Sequence, residues 1–395
     1  MLRLRGRLTL LLLAPALVVG CLKTLDESKI GAADASTEGG SGATGGDAGG
    51  SGGSGGTSGT GGTGGTVDSG PDSPWPGVVP YDASKYPVTN LASTSARAII
   101  SVDDSDVFRT ELDGTSVPLF RHPIAGGSGN QVPGFTLERP QAMVAPTGSI
   151  SVFVVGGTDQ GGGTLVRVPK AGGAAESITP QTPIELAVGI AAAADGYAYV
   201  STKAIAQNTT ALLRFQLTAG ATTGETLYVT ADGNESGGDV VVTGGCVYWV
   251  SNGDVWGIPT TGGARLAALS TAITDAVGVA ADAVYLYYTR AGGSVWRKKV
   301  STACDSGSSV EEKLTEGFTG IGDLVTYEGK LAWTAEGDVS ANFAGGGVFS
   351  SSAAGGQVTQ IAPEDDGPVD IAAAPADIVY ATSSGLIRKV PKKPL

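Results

Sequence analysis

The chain has 395 residues, with 38 acidic and 25 basic side chains and a formal charge of −13. That balance argues against nucleic-acid binding, which needs basic patches to displace counterions. One histidine and three cysteines exclude a histidine-rich metal centre, a four-cysteine zinc cluster and a disulfide-dense scaffold, while 41% hydrophobic residues suffice for a core.

In chain order, the first element is an address. Arg3, Arg5 and Arg7 form a basic region, followed by an apolar run of twelve residues from Leu8 to Val19. Twelve residues are too few to cross a hydrocarbon core of ~30 Å as a helix, and Pro15 would break one. The run therefore reads as a signal peptide over residues 1–20. It ends in Val18-Val19-Gly20-Cys21, which resembles the lipobox of bacterial lipoproteins. That resemblance implies a diacylglycerol thioether on Cys21, cleavage before it and N-acylation after it. Each buried CH₂ is worth ~0.8 kcal/mol, so three chains make release from the bilayer negligible. Loss of the three arginines takes the charge from −13 to −16. Leu22 rather than Asp follows Cys21, which by the same resemblance implies the outer membrane.

Residues 21–74 read as a disordered tether. Between Gly39 and Thr66, 16 of 28 residues are Gly, and nothing there can bury apolar surface to offset ordering entropy. Such a linker reaches roughly 40 Å root-mean-square. The strings Gly49-Gly50-Ser51-Gly52-Gly53 and several G-x-G-x-x-G matches lack the strand–turn–helix context that would give them chemistry.

From Trp75 to Leu395 short β-rich runs replace any helical period, so this part reads as one all-β domain. One phrase recurs: an apolar strand, a tight turn, an aromatic-rich strand, a Gly loop, a third strand, then Gly-Gly. Asp239–Leu269 is its clearest copy. The third-strand residues Phe108, Leu165, Leu212, Val255, Val295, Val348 and Leu386 lie 57, 47, 43, 40, 53 and 38 residues apart, about 46 on average. A period of ~40–50 residues with four short strands is that of a β-propeller blade. The expected fold is a single propeller of seven four-stranded blades, with six as the alternative. The copies resemble YWTD and NHL repeats, as in Val247-Tyr248-Trp249 and Leu331-Ala332-Trp333-Thr334. The last copy stops after its third strand, and Trp75–Asp82 is the segment expected to supply the missing outer strand, because an open ring would expose a sheet edge.

Aligning the entry to each first strand gives Asn90, Gln141, Glu185, Asp239, Asp275, Asp323 and Asp370. Five are acids and two are carboxamides, placed to ring one mouth of the axial channel. Oxygen ligands of this kind suit a hard cation such as Ca²⁺, or a polyamine or cationic peptide. The competing reading is structural: such residues accept hydrogen bonds from loop N–H groups at strand entries. A second recurring acid (Asp195, Asp282, Asp377) falls in the turn after the first strand and reads as turn chemistry. The most irregular connections, Val155–Thr164, Lys203–Thr210, Glu336–Gly347 and His122–Pro140, gather at the same mouth, where specificity would reside.

Cys246 opens a second strand and Cys304 follows a third strand in the adjacent copy. They read either as a disulfide, suited to an exported protein, or as a buried Cys246 with an exposed Cys304. His122 reads as a surface loop residue with no nucleophile or orienting acid beside it. Asp103–Asp106 and Glu364–Gly367 read as solvated turns, and Trp249, Trp256, Trp296 and Trp333 as packing between blades. The composite expectation is a monomeric, lipid-anchored envelope protein whose propeller binds a protein, peptide or glycan without catalysis. The alternatives are a metal-dependent propeller enzyme of lyase or lactonase type using the channel-mouth carboxylates, and a ligand-free spacer.

Overall fold

The computed structural model describes residues 77–395, apart from 95–96, 112–115, 157–162, 181–183, 185, 205–208, 219, 231–236, 270–273, 306, 308 and 364–365, together with Leu22–Lys23. The signal peptide, Cys21 and residues 24–76, including Trp75, lie outside the described residues. The chain divides into two units, one of Met1–Thr24 with Ser73–Leu395 and one of Leu25–Asp72.

Alternation of apolar and small residues, broken by Gly and Asp turns, produces short antiparallel strands in groups of four. Blade one comprises Ala98–Val102, Asp106–Glu111, Phe120–Pro123 and Asn130–Gln131. Blade two comprises Pro140–Val144, Ser151–Gly156, Thr164–Pro169 and Glu176–Pro180. Blade three comprises Leu186–Ala192, Tyr197–Ala204, Thr209–Gln216 and Thr223–Thr230. Blade four comprises Gly237–Thr243, Cys246–Ser251, Asp254–Pro259 and Leu266–Ala267. Blade five comprises Ala276–Ala281, Tyr285–Arg290, Ser294–Lys299 and Glu312–Glu316. Blade six comprises Ile321–Tyr327, Lys330–Ala335, Gly347–Ser352 and Val358–Ala362. Blade seven takes three strands from the C-terminus, Pro368–Ala373, Asp377–Thr382 and Leu386–Pro391, and its outer strand, Thr89–Ser93, from the other end of the domain.

The first strand of every blade touches the first strands of both neighbours, and that of blade seven touches that of blade one, so the ring is closed. The apolar core lies between blades. Separate buried clusters fill the seams one–two, two–three, three–four–five, five–six, six–seven and seven–one. Trp249, Trp333, Tyr287, Tyr288 and Tyr380 are among the largest fully buried side chains. A single blade has two apolar faces and cannot cover both; the ring covers them all. Blades two and three are further joined by parallel pairing of their outer strands, Thr179 with Thr223 and Pro180 with Gly224. The two-residue strand Leu22–Lys23 pairs antiparallel with the first strand of blade three.

Two expectations need correction. The closing strand is Thr89–Ser93 and not Trp75–Asp82; within the latter, Val78–Val79 instead runs parallel to the outer strand of blade six. Because 89–93 is an outer strand, the phase of blade one shifts by one strand. Phe108 lies on the second strand of blade one, and the residue equivalent to the other third-strand positions is Leu119, fully buried and 46 residues before Leu165.

Candidate functional site: the axial wall

Register settles which first-strand residues are equivalent. In blades four, six and seven, Val240, Leu324 and Ile371 pair with Trp249, Trp333 and Tyr380, and the residue just before each is an aspartate: Asp239, Asp323 and Asp370. A bulge in each first strand sits at or next to this position, where an extra residue re-aims the side chain. The same position is Gly278 in blade five, Gly189 in blade three, Ala142 in blade two and Ile99 in blade one.

The three aspartates are buried, Asp239 and Asp323 at 0% exposure and Asp370 at 4%. They form part of the wall and are not an open mouth. Asp323 Oδ1 accepts from the Leu324 N–H at 2.8 Å, and Asp370 Oδ2 accepts across a seam from the Ile100 N–H of blade one at 3.1 Å. Burial pushes the Asp370 carboxyl up to about 8, and the charge of Asp239 adds to the effect; the N–H groups of Ile100 and Ile371 and the neighbouring Asp323 side chain oppose it. Arg97, just ahead of the first strand of blade one, is the nearby cation, 3.8 Å from Glu336 and within electrostatic reach of Asp370.

Gly278 suits this close packing. A Cβ there would stand 3.1 Å from Asp239 Oδ2, Gly322 O and Thr289 Oγ1. Hydroxyls on second strands staple the wall. Ser201 Oγ donates to Gly238 O at 2.7 Å, from blade three to four; Thr289 Oγ1 donates to Gly322 O at 2.9 Å, from blade five to six, and accepts from the Gly278 N–H. In sequence these staples are marked by a Ser or Thr recurring late in the second strand, as at Ser201 and Thr289.

The other members of the expected ring lie elsewhere. Asn90 is on the outer strand of blade seven, where its Oδ1 accepts from Arg388 Nε at 3.0 Å. Gln141 is buried one residue ahead of the shared position. Asp275 precedes the first strand of blade five and is ion-paired to Arg290 at 2.6 Å. Glu185 lies outside the described residues, as do 157–162 and 205–208 of the expected specificity loops. Thus three of the seven share one position. Among the described residues, no group of three or more His, Cys, Asp or Glu is arranged to hold a metal ion.

Two of the three turn acids behave as turn chemistry requires, while Asp377 pairs with Lys389 at 3.1 Å. Asp195 accepts from the Tyr197 N–H and Tyr199 hydroxyl, and Asp282 from the Val284 and Tyr285 N–H groups and the Tyr287 hydroxyl. Asp103 likewise accepts from the N–H groups of Ser105 and Asp106. His122 is a correction: it is buried on the third strand of blade one, where Nε2 accepts from Arg109 Nε at 2.9 Å. Burial, then the Arg109 charge, hold its pKa below the usual value and keep it neutral. Cys246 and Cys304 form a disulfide with Cα atoms 5.6 Å apart, and both are buried, so the exposed-Cys304 alternative falls.

No protein-family model matches the sequence, and no curated protein matches it. Solved structures do. A selenomethionine-substituted virginiamycin B lyase from Staphylococcus aureus is 16% identical with a TM-score of 0.57, the match covering 78% of this chain and 99% of that one. A catalytically inactive histidine-to-alanine form of that lyase with quinupristin is 15% identical, TM-score 0.55, over the same shares. The WD40 propeller domain of Doa1 is 15% identical, TM-score 0.52, over 78% of this chain and 98% of that one. At these identities the likeness is one of fold, and the chain is a β-propeller.

Proposed function

We propose that this protein is an envelope lipoprotein, anchored through Cys21, whose propeller holds a protein, peptide or glycan partner without catalysing its turnover. The observation that carries the reading is the closed ring of seven blades. Two of its inward carboxyls, Asp323 and Asp370, accept from backbone N–H groups, and the loops at the ends of the rigid scaffold are placed to make contacts. The lyase neighbour loses activity when a histidine is replaced. Here the single histidine is buried against Arg109, a poor location for a general base. The lipobox and the Gly-rich tether support display at a membrane surface.

The test uses the full chain in cells of a lipoprotein-processing bacterium. A photo-crosslinker is placed at Ser340, on the loop between second and third strands of blade six, or at Val284, in the first turn of blade five at the opposite end. One discrete product from one end alone is expected. Equal, diffuse labelling at both ends contradicts a binding face. Stoichiometric metal in the purified protein, lost in Asp239→Asn/Asp323→Asn, would instead support the metal-dependent enzyme.

A further inference from the structure

Three seams of the ring carry one outer clasp. In blades two, three and five an arginine two residues beyond the third-strand anchor, Arg167, Arg214 or Arg297, is held by a glutamate opposite it on its own fourth strand. The pairs are Arg167–Glu176 at 2.6 Å, Arg214–Glu225 at 2.7 Å and Arg297–Glu312 at 2.6 Å. Each guanidinium lies over an aromatic ring: Phe153, Tyr197 or Tyr285. Each then donates across the seam to a carbonyl in the turn after the next blade's third strand, Ala221 at 2.9 Å, Thr260 at 2.5 Å or Ala353 at 2.8 Å.

The other blades lack it: Arg121, Ser350 and Arg388 stand at that position in blades one, six and seven with other partners, and blade four has no side chain there. Its clasp position is Gly257, and a Cβ there would overlap the carbonyl of Cys304. Cys304 belongs to the turn after the third strand of blade five, the place occupied elsewhere by the acceptor carbonyls. The Cys246–Cys304 bond crosses this same seam, beside weaker ties from the Tyr248 hydroxyl to Ser301 O at 3.1 Å and from Lys298 Nζ to Ala268 O at 2.9 Å. A covalent bond thus stands where an arginine would.

We propose that the Cys246–Cys304 disulfide is a redox latch for the seam between blades four and five, and that the dithiol form opens there in preference to the clasped seams two–three, three–four and five–six. Closing the latch turns two thiols into one S–S bond. Two protons and two electrons leave, and the electrons reduce the disulfide of an exchange partner, a thiol–disulfide oxidant, to two thiols. Both sulfurs are buried, so a reductant reaches them only when the seam opens. That oxidation occurs outside the cytosol rests on the export reading; the choice of seam does not.

Hydrogen-exchange mass spectrometry on the full chain tests this, comparing oxidised protein, dithiothreitol-reduced protein and Cys246→Ser/Cys304→Ser, with Arg214→Ala as the control at the neighbouring seam. Reduction and the double variant are expected to speed exchange at least about tenfold in blades four and five, leaving blades one, two and seven within about twofold. Arg214→Ala is expected to act at the seam three–four in both redox states. Uniform acceleration round the ring, or none, overturns the proposal. If the double variant does not fold, wild-type protein reduced under native conditions carries the same comparison.

Discussion

Asp370 is where burial and like charge meet. Burial pushes its carboxyl up to about 8 from an ordinary value of 3.8. The folded state therefore holds a proton that the unfolded state has released between those values. The stabilisation is complete below about pH 4 and is lost as pH rises through about 8. Urea unfolding midpoints between pH 5 and 9 should fall for the wild type relative to Asp370→Asn, and a difference that stays flat across that range would contradict the raised Asp370 carboxyl. Leu119 and Asn90 test the corrected phase of blade one. Leu119→Ala, which empties a fully buried site, should cost about 2–5 kcal/mol. Asn90→Ala removes one exposed hydrogen bond to Arg388 and should cost less than about 1 kcal/mol. Equal losses in chemical denaturation would restore the phase read from sequence.

At the scale of the strand, the repeating phrase was legible because a blade is written locally: apolar alternation, a turn acid and a Gly-Gly exit all lie within one period. Blade one was misphased because Thr89–Ser93 carries a carboxamide at its entry and precedes a strand, as the first strands do. Its partner, Leu386–Pro391, lies some 300 residues away, and nothing local announces that pairing. The acidic ring was over-read for a related reason. A bulge shifts the register of six first strands, so equal distance from the strand start does not mean equal position. Asp275 was counted where the register puts Gly278. The disulfide was half legible: cysteine count and compartment suggested it, while the reason for its location, the missing clasp arginine at Gly257, needed the fold. Truncation distinguishes the two N-terminal strands. A chain starting at Ser84 loses the two-residue strands Leu22–Lys23 and Val78–Val79, neither of which belongs to a four-stranded blade, and should keep cooperative thermal unfolding. One starting at Thr94 exposes the edge of Leu386–Pro391 and should aggregate; identical melts for both would count against closure by Thr89–Ser93.

For the molecule as a whole, the proposed anchor can be tested apart from the ring. Cys21→Ala should move the protein from the membrane to the soluble fraction on cell fractionation while leaving its far-ultraviolet circular dichroism unchanged; retention in the membrane would refute the lipid anchor. The central claim is that the two ends of the domain meet in one blade. Ala92 and Ile387 are cross-strand partners, close enough for a disulfide. Oxidation of Ala92→Cys/Ile387→Cys, followed by peptide mapping under non-reducing conditions, should join residues 92 and 387 in one crosslinked peptide, and Val79→Cys/Ile387→Cys should give none. A crosslink only in the second variant, or in neither, would contradict the closed ring.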